Sequence, residues 1–341
     1  MNPAMKAIVQ NRYGGADVLE LRDIERPIAK DDEILVHVRA ASIHADVWHV
    51  MRGVPYALRF MGAGVRRPKD LVPGTDLAGQ VESVGRNVTR FRPGDAVFGQ
   101  SLSANLWRHG GAFAEYAAVP PFRFELKPPG LTFEQAAAVP TSGSLAVQGV
   151  RDEGRVQAGH KVLINGAGGA VGTFAVQLAK AYGAEVIGVD APGKLEMLRS
   201  IGADRVVDYT KEDFTRTGEH YDVILDIAGN HPWPDIRRAI NPEGAFVLIG
   251  HDHYGASGHR WFGSLGRFGK LLVMSPFVSQ LHPFRGAKDP GDRLVVMKEL
   301  IEAGKITPVI DRTFLLSQVP DAMRYLESGR AAGKVVITIG D

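Results

Sequence analysis

Short apolar runs separated by glycine, proline and aspartate fill the first third of the chain. The runs KAIVQ, EILVHVRAASI, LAGQVESVG and AVFGQ are rich in β-branched residues, which is typical of strands. The turn sequence Pro93-Gly94-Asp95 stands directly before AVFGQ, where a strand begins. Strands at this spacing predict a small antiparallel β-barrel over residues 1–126.

The pattern changes at about residue 127 to alternating strands and helices. KVLIN (161–165) is a short apolar run, and AVGTFAVQLAKAYG repeats its apolar positions at helical spacing. Further strands are predicted at AEVIGVD, RVV, YDVILDI, AFVLIG and LLVMSP (271–276), with helices at GKLEMLRSIGA and PDIRRAIN. Such alternation predicts an α/β fold with a doubly wound parallel sheet over 127–289. Residues 290–341, an amphipathic helix and a closing strand, are expected to return to the first domain.

Composition narrows the class of protein. The chain has 341 residues, of which 45% are hydrophobic and 23% charged, which is typical of a globular protein. A net charge of +2 gives no basic field for nucleic acid or a membrane surface. The absence of cysteine excludes disulfides, thiol nucleophiles and cysteine-ligated zinc. No apolar run is long enough to cross a bilayer, so we expect a cytoplasmic protein with no membrane segment.

A glycine-rich turn carries the clearest chemistry. In VLINGAGGAVG the residues Gly166, Gly168, Gly169 and Gly172 leave a strand and open a helix. Glycines let the backbone approach a pyrophosphate, and the helix N-terminus supplies free N–H groups. Asp190 ends the next strand, at the spacing expected of the acid that binds the ribose hydroxyls. The pattern therefore predicts a dinucleotide site rather than a plain turn beside a surface aspartate.

Asp190 also bears on the choice of cofactor. Its charge repels a 2′-phosphate, which favours NAD(H) over NADPH among the NAD(P)H cofactors. Lys194 stands four residues further on and can offset that charge. We favour a solvated helix residue as the interpretation of Lys194, and the cofactor preference stays open.

Longer motifs, taken in order, resemble the medium-chain dehydrogenase/reductase superfamily, in its zinc-free quinone oxidoreductase-like branch. They are VPGTDLAGQVESVGRNVTRFRPGDAVFG (72–99), GGAFAEYAAVP (110–120), LTFEQAAAVPTSG (131–143) and GKVVITI (333–339). The resemblance covers essentially the whole chain. It implies a GroES-like β-barrel domain over 1–126, rejoined by 290–341, a Rossmann cofactor-binding domain over 127–289, and a homodimer.

The resemblance also implies which residues meet the cofactor. Contacts to the nicotinamide and ribose are implied for residues at turns and strand ends: Thr141, Gly168, Gly169, Ala170, Val171, Tyr209, Ala228, Gly250 and Lys334. His251 follows AFVLIG at the carboxyl end of a predicted strand, where ligands bind in α/β sheets, and joins this set.

Departures from the zinc-dependent relatives indicate that no metal is bound. His44 stands where those dehydrogenases have a cysteine ligand, and Thr75 replaces their histidine ligand. A catalytic zinc needs about three protein ligands. In the family fold His44 and Asp76 can converge, but Asp46, His49 and His109 offer no clear third ligand, so we expect no zinc.

Without a metal, hydrogen bonds must stabilise the negative charge formed on the substrate. Hydride addition to a conjugated C=C bond or a quinone gives a delocalised anion, whereas addition to a carbonyl gives a localised alkoxide. The lack of zinc therefore favours an enone or quinone substrate. Aromatic residues within 52–70 and 250–268 favour a small apolar or aromatic one.

Four residues are candidates for acid–base work: His44, Asp46, His49 and Tyr56. Histidine titrates near neutral pH and can protonate a carbonyl oxygen. Asp46 can orient His44 if the stretch is extended, or can cap the following helix. His49 and Tyr56 are equally consistent with packing roles. These residues support an alternative function, a metal-free alcohol dehydrogenase or carbonyl reductase with His44 or His49 as the acid.

A hypothesis from another class is a non-catalytic protein that senses the cofactor or contacts RNA. The intact glycine turn and Asp190 favour turnover, and no stripe of aromatic and basic residues indicates RNA binding.

Overall fold

The computed structural model describes residues 3–102, 110–250, 260–281 and 290–340. The chain forms two compact units. The first unit comprises Met1–Thr141, Pro290–Lys298 and Pro308–Asp341, and the second unit comprises Ser142–Asp289 and Glu299–Thr307.

The strands in chain order are β1 (Ala4–Gln10), β2 (Leu19–Glu25), β3 (Ile34–Ile43), β4 (Asp76–Val84), β5 (Ala96–Gln100), β6 (Tyr116–Val119), β7 (Phe124–Leu126), β8 (Lys161–Asn165), β9 (Glu185–Asp190), β10 (Arg205–Asp208), β11 (Tyr221–Asp226), β12 (Ile240–Leu248), β13 (Ile310–Leu315) and β14 (Lys334–Thr338). The α-helices are α1 (Ala45–Arg52), α2 (Phe133–Ala137), α3 (Pro140–Val147), α4 (Ala170–Ala181), α5 (Leu195–Ser200), α6 (Trp233–Ala239), α7 (Leu265–Met274), α8 (Pro290–Glu302) and α9 (Val319–Glu327). Two π-helical turns span Arg59–Ala63 and Gln148–Glu153. Short 3₁₀ turns span Ala16–Val18, Pro121–Arg123, Pro192–Lys194, Phe214–Arg216 and Leu316–Gln318.

The first unit is built on a mixed sheet in the order β13-β14-β3-β4-β5-β7, with β6 also paired to β3. The pairs are antiparallel except β13 with β14, which run parallel. Strand β3 lies inside this sheet and is buried at most positions, as its apolar sequence predicts. β1 and β2 form a separate antiparallel pair.

The second unit contains a five-stranded parallel sheet in the order β10-β9-β8-β11-β12. This order is that of a Rossmann sheet, with the reversal of strand order between β8 and β11. β8 and β11 are buried because helices cover parallel sheets on both faces. The predicted doubly wound parallel sheet is confirmed.

One predicted strand is wrong, since LLVMSP (271–276) lies mostly in helix α7. Phe268, Leu271, Met274 and Val278 pack against the buried core of the second unit. Within α7, Phe268, Leu271 and Met274 recur every three residues, which is a helical spacing, whereas a strand alternates every two. An isolated parallel bridge beyond the helix joins Leu281 to Phe246 in β12.

The division between the units differs from the predicted boundary at residue 126. Residues up to Thr141 belong to the first unit because α2 packs on β3, β4 and β14. A capping box stabilises this helix, with the side chains of Thr132 and Gln135 each accepting from the other's backbone N–H. Near the other end of the chain, 299–307 belongs to the second unit. There Gln177 donates to the Thr307 carbonyl at 3.0 Å and accepts from its N–H at 2.8 Å.

Within the described residues, no helix has both the length and the apolar character needed to span a bilayer.

Candidate active site

The glycine-rich turn connects the end of β8 to the start of α4. Gly166 has φ +85°, and a Cβ built there would lie 3.1 Å from the Ala228 nitrogen. A Cβ on Gly172 would overlap the carbonyl oxygens of Gly166 and Ala167. Gly169, in extended conformation, immediately precedes α4. The positions of Gly166 and Gly172 therefore require glycine. The close backbone turn at a helix N-terminus fits a dinucleotide pyrophosphate.

Asp190, at the end of β9, holds this turn. Its carboxylate accepts from the Gly168 N–H at 2.7 Å and from the Ala191 N–H at 2.8 Å. The Lys194 Nζ atom lies 3.6 Å from the same carboxylate. The carboxylate that we expect to bind ribose therefore also orders the glycine turn.

The favoured interpretation of Lys194 as a solvated helix residue is wrong. Its side chain is only 14% exposed and lies in the 3₁₀ turn before α5, paired with Asp190. The lysine stem passes over Gly168, where an added Cβ would lie 2.7 Å from Lys194 Cδ. A glycine in the turn is what leaves room for the lysine.

The other cofactor candidates of the second unit follow strand ends at the same edge of the sheet. Tyr209 follows β10, its N–H donates to the Asp190 carbonyl at 3.4 Å, and its side chain is exposed. Ala228 donates its N–H to the Asn165 carbonyl at 3.2 Å. Gly250 follows β12, and a Cβ there would overlap the Ile227 carbonyl. Ala170 and Val171 open α4 and are half-buried, whereas His251 lies outside the described residues.

A buried polar network that local sequence patterns do not predict lies at this edge of the sheet. Asp226, fully buried at the end of β11, pairs with Arg267 of α7 at 3.0 Å. It also accepts from Asn165 Nδ2 and from the Gly229 N–H, both at 2.8 Å. Burial raises the pKa of Asp226, and the opposing charge of Arg267 lowers it. The sequence signal for the network is an aspartate directly after the apolar run Val223–Leu225 of β11.

Arg267 also binds the loop that follows β11. Its guanidinium donates to the carbonyls of Gly229 and His231. Asn165 Nδ2 reaches Asn230 Oδ1 at 2.8 Å in the same loop. The network therefore shapes residues 227–231, which include the cofactor candidate Ala228.

In the first unit, His44 joins β3 to α1 and lies beside the start of β4. Its Nε2 atom is 2.5 Å from Thr75 Oγ1, and its Nδ1 atom is 3.5 Å from Asp46 Oδ2. Asp46 lies in the first turn of α1, so the stretch is not extended, and α1 has no side-chain cap. Asp46 reaches His44 from within the helix, an arrangement that neither alternative described.

Asp76, the first residue of β4, collects the polar groups behind His44. It is fully buried and accepts from the Thr141 N–H at 3.0 Å and the Thr141 hydroxyl at 2.5 Å. Thr75 Oγ1 lies 3.5 Å from the same carboxylate. The Thr141 hydroxyl in turn accepts from Gln100 Nε2 at 2.7 Å.

Lys334 completes this cluster from β14. Its fully buried Nζ atom donates to the Ile43 carbonyl at 3.2 Å and lies 3.9 Å from Asp76. Burial lowers the pKa of Lys334, and the charge of Asp76 opposes that effect. The cluster of His44, Asp46, Thr75, Asp76, Thr141 and Lys334 brings together residues from both ends of the sequence.

His49 and Tyr56 lie in other surroundings. His49 is buried on α1, where its Nδ1 atom bonds the Val54 carbonyl at 2.8 Å and its ring meets the edge of Trp48. The Arg59 guanidinium lies 4.7 Å from the centre of the Tyr56 ring. Both contacts are of the kind that packing residues make.

A GroES-like unit and a Rossmann unit with a glycine-rich phosphate turn define a class of two-domain oxidoreductases. The family model of the alcohol dehydrogenase GroES-like domain matches residues 30–129, and that of the zinc-binding dehydrogenase matches 201–337. The 2-methylene-furan-3-one reductase of Solanum lycopersicum is 33% identical over 98% of this chain and 79% of its own length. The chloroplastic NADPH-dependent alkenal/one oxidoreductase of Arabidopsis thaliana is 35% identical over the same shares.

Solved structures agree with these relatives. The quinone oxidoreductase of Coxiella burnetii has a TM-score of 0.82 at 26% identity, covering 99% of this chain and 100% of that one. An NAD-dependent alcohol dehydrogenase has a TM-score of 0.81 at 29% identity, covering 98% and 100%. The chain belongs to the medium-chain dehydrogenase/reductase superfamily, in its quinone oxidoreductase-like branch. It is an oxidoreductase, so the predicted family, fold and enzyme class are confirmed.

Zinc, which the name of one matching family implies, does not fit these residues. Thr75 offers a hydroxyl, already paired with His44, and the chain has no cysteine. Asp76 is committed to Thr141 and lies beside the Lys334 cation. No group of three metal-binding side chains occurs in the described parts of the chain, which omit His109.

Proposed function

We propose that this protein is a zinc-independent reductase that uses NAD(P)H to reduce a conjugated C=C bond or a quinone. The observation that carries the proposal is the hydrogen bond between His44 and Thr75, at positions where zinc-dependent relatives hold metal. A hydroxyl and an imidazole, as hydrogen-bond donors, stabilise a delocalised enolate better than a localised alkoxide. The tomato and Arabidopsis relatives, named for reduction of a methylene-furanone and of alkenals and alkenones, support this substrate class.

The chain's own residues supply binding and hydrogen bonds. When bound, a nicotinamide cofactor supplies the hydride. The turn at Gly166–Gly169 would cradle the pyrophosphate, and Asp190 would fix the turn and the ribose. Asp226 and Arg267 hold the loop that carries Ala228. His44 and Thr75 provide the donor pair for the oxygen of the substrate, and Asp76 with Thr141 and Lys334 holds Thr75 in place.

We propose NAD(H) as the preferred cofactor, with NADPH also accepted. Asp190 disfavours a 2′-phosphate, and its ion pair with Lys194 weakens that effect. Fluorescence titration of both reduced cofactors tests this. Lys194→Ala is expected to weaken NADPH binding more than NADH binding. Lys211→Ala removes a more exposed lysine that pairs with Asp208, and serves as the control.

Carbonyl reduction is the second candidate. The His44–Thr75 pair can protonate an alkoxide, and a solved NAD-dependent alcohol dehydrogenase shares the fold at 29% identity. The deciding experiment offers cinnamaldehyde with NADH or NADPH deuterated at C4. Deuterium on the β-carbon supports enone reduction, and deuterium on the carbonyl carbon supports the second candidate. Absence of transfer from either cofactor would contradict both.

A homodimer in the cytoplasm completes the proposal. The exposed aromatic side chains of Trp261, Phe262 and Phe277 in the second unit support a subunit contact. Light scattering of the purified protein tests the dimer, since a monomer mass would contradict it. Cell fractionation tests the location, because several relatives are chloroplastic or mitochondrial proteins.

A further inference from the structure

We propose that residues 59–71 form a docking surface for an anionic lipid bilayer. The proposal goes beyond the reductase function and does not depend on it. Four large apolar side chains of this segment are exposed, and three exposed basic side chains stand among them. Apolar groups of this kind insert into the interface of a bilayer, while neighbouring cations are attracted to its anionic headgroups.

The apolar side chains of the segment are exposed to solvent. Phe60 is 68% exposed and Val65 56%. Met61 is 49% exposed and Leu71 45%. Single exposed apolar residues are common on protein surfaces, but a local concentration of them marks an interaction site. Removing these side chains from water would favour a bound state.

The charge of the segment is locally positive. Arg66, Arg67 and Lys69 are exposed, and none of the three forms an ion pair with another described residue. Asp70 is the only acidic residue in 59–71. The net charge of +2 for the whole chain does not reveal this local excess, because acidic residues elsewhere balance it. Basic residues at such a surface are attracted by the negative potential of an anionic leaflet.

The segment folds on itself, which brings its apolar and basic residues together. Gly64 has φ +114°, and a Cβ built there would lie 2.2 Å from the carbonyl oxygen of Arg67. Lys69 donates its N–H to the Ala63 carbonyl at 2.9 Å. The backbone that carries the three cations therefore lies beside the π-helical turn Arg59–Ala63, which carries two of the exposed apolar side chains.

The first unit holds the segment in place. The Tyr13 hydroxyl donates to the Gly64 carbonyl at 2.5 Å. The Arg59 guanidinium lies 4.3 Å from the centre of the Tyr13 ring and 4.7 Å from that of Tyr56. Arg59 is thereby committed to the fold, and the other three basic residues of the segment remain for the headgroups. A surface that is fixed before binding loses little conformational entropy when it binds.

An anionic bilayer is the partner that these features favour over a second protein. Tight contact between proteins requires surfaces of complementary shape. A bilayer interface adapts to the side chains it receives, and its affinity rises with buried apolar area and with charge attraction. The cytoplasmic leaflet carries anionic lipids, so a protein in the cytoplasm would meet a suitable surface. Apolar enones and quinones, the substrates proposed above, dissolve in the same bilayer.

Co-sedimentation of the full chain with lipid vesicles tests the proposal. One set of vesicles contains phosphatidylcholine alone, and the other contains phosphatidylcholine and phosphatidylserine at a ratio of about 7 to 3. We expect binding to the anionic vesicles and little binding to the neutral ones. Added salt should release the protein, because it screens the charges at the surface.

The apolar contribution is tested by Phe60→Ser combined with Val65→Ser. We expect this double variant to lose about tenfold in affinity for the anionic vesicles, because two exposed apolar groups can no longer insert. Ile28→Ser is the control, at a side chain that is 69% exposed and lies outside the segment. It should bind the vesicles like the unaltered protein.

The basic contribution is tested separately by Arg66→Gln combined with Arg67→Gln. We expect a loss of about tenfold in affinity for the anionic vesicles and a weaker dependence on salt. Arg237→Gln combined with Arg238→Gln is the matched control, since it removes two adjacent exposed arginines of α6. Thermal unfolding checks that the variants fold, and either double variant tests the proposal if the other does not.

Several outcomes would overturn the docking surface. Failure of the unaltered protein to sediment with anionic vesicles would do so, as would equal binding to neutral vesicles. Equal losses in a double variant and its control would also contradict it. A change from dimer to monomer in Phe60→Ser with Val65→Ser would assign the segment to a second copy of the chain instead. Vesicle binding is measured without cofactor or substrate, so none of these results bears on the position of the deuterium label.

Discussion

The Lys334 ammonium lies 3.9 Å from the Asp76 carboxylate across the end of β3, and both side chains are fully buried. Lys334 begins β14 and Asp76 begins β4, and both strands pair with β3 in the sheet. The same ammonium donates to the carbonyl of Ile43, the last residue of β3. The pair therefore joins three strands at the point where the chain leaves the sheet toward His44.

Replacing Lys334 by methionine should destabilise the protein strongly. The variant leaves the Asp76 carboxylate buried without its cation, a change that typically costs about 3–5 kcal/mol. Urea unfolding of the purified variant measures its free energy of unfolding. Lys6→Met removes an exposed pair with Asp23 and should change stability little. Equal losses of unfolding free energy in the two variants would show that the buried pair contributes no more to stability than the exposed one.

The stability difference between the unaltered protein and Lys334→Met should grow as pH rises toward 10.5. Burial lowers the pKa of Lys334, so the unfolded chain binds this proton more tightly than the folded protein. Stability therefore rises with pH between the lowered pKa and the ordinary value of 10.5. Urea unfolding of both proteins at several alkaline pH values checks this. A difference that shrinks with rising pH would contradict it.

Gly172→Ala should lower both the affinity for the cofactor and the stability of the folded protein. An added Cβ would overlap two carbonyl oxygens of the turn, so the start of α4 must move, at a cost of about 1–3 kcal/mol. Gly193→Ala is the matched control, because the space around Gly193 is open. Thermal unfolding and titration with NADH measure the two effects. Equal melting temperatures for the two variants would contradict the crowding at Gly172.

Local pattern predicted the parts of this molecule that depend on neighbouring residues. The strand KVLIN, the helix after it and the glycines between them need only apolar spacing and turn chemistry. The error at LLVMSP has the same origin, because a short apolar run does not distinguish a strand from a helix. The Lys194–Asp190 ion pair is predictable from the sequence, since the two residues stand four positions apart.

Contacts between residues far apart in the sequence are not predicted by local patterns. Asp226 and Arg267 are 41 residues apart, and Lys334 reaches Ile43 over 291 residues. Nothing in the local pattern ties such groups together, because burial and pairing are set by how the strands assemble. The sequence shows only that Thr75 replaces a histidine ligand. Its hydrogen bond to His44 depends on the pairing of β3 with β4, which brings the two residues together.

Glu219→Gln should lower stability at neutral pH and have no effect in strong acid. Hydrogen bonds from Arg205 and Lys161 lower the pKa of Glu219 to about 2, from 4.5. The stabilisation is therefore complete above 4.5 and is lost as pH falls through about 2. Because Glu219 is partly exposed, we expect a loss of about 1 kcal/mol at pH 7.

Urea unfolding from pH 7 down to pH 2 measures this difference for Glu219→Gln. Asp235→Asn, which removes a surface pair with Arg238, is the control. A difference between Glu219→Gln and the unaltered protein that persists unchanged at pH 2 would mean that the carboxylate charge is not its cause.

Arg267→Met should raise the Kd for the nicotinamide cofactor as well as lower stability. The guanidinium neutralises Asp226 and binds the carbonyls of Gly229 and His231, so its loss frees the loop that carries Ala228. Arg267→Lys keeps the positive charge, but lysine lacks the forked guanidinium and cannot donate to the same three acceptors. We therefore expect it to recover stability more than cofactor affinity. Arg238→Met removes a surface arginine and should change neither quantity.

Urea unfolding and NADH fluorescence titration, on the same preparations, separate the two effects of Arg267. If the Asp226–Arg267 pair only stabilises the fold, Arg267→Lys should recover the free energy of unfolding and the Kd for NADH in parallel. If the pair also positions the loop for the cofactor, the Kd should stay raised while the free energy of unfolding returns. Unchanged Kd in Arg267→Lys would therefore assign Asp226 and Arg267 to folding alone, and would remove the loop at 227–231 from the proposed cofactor site.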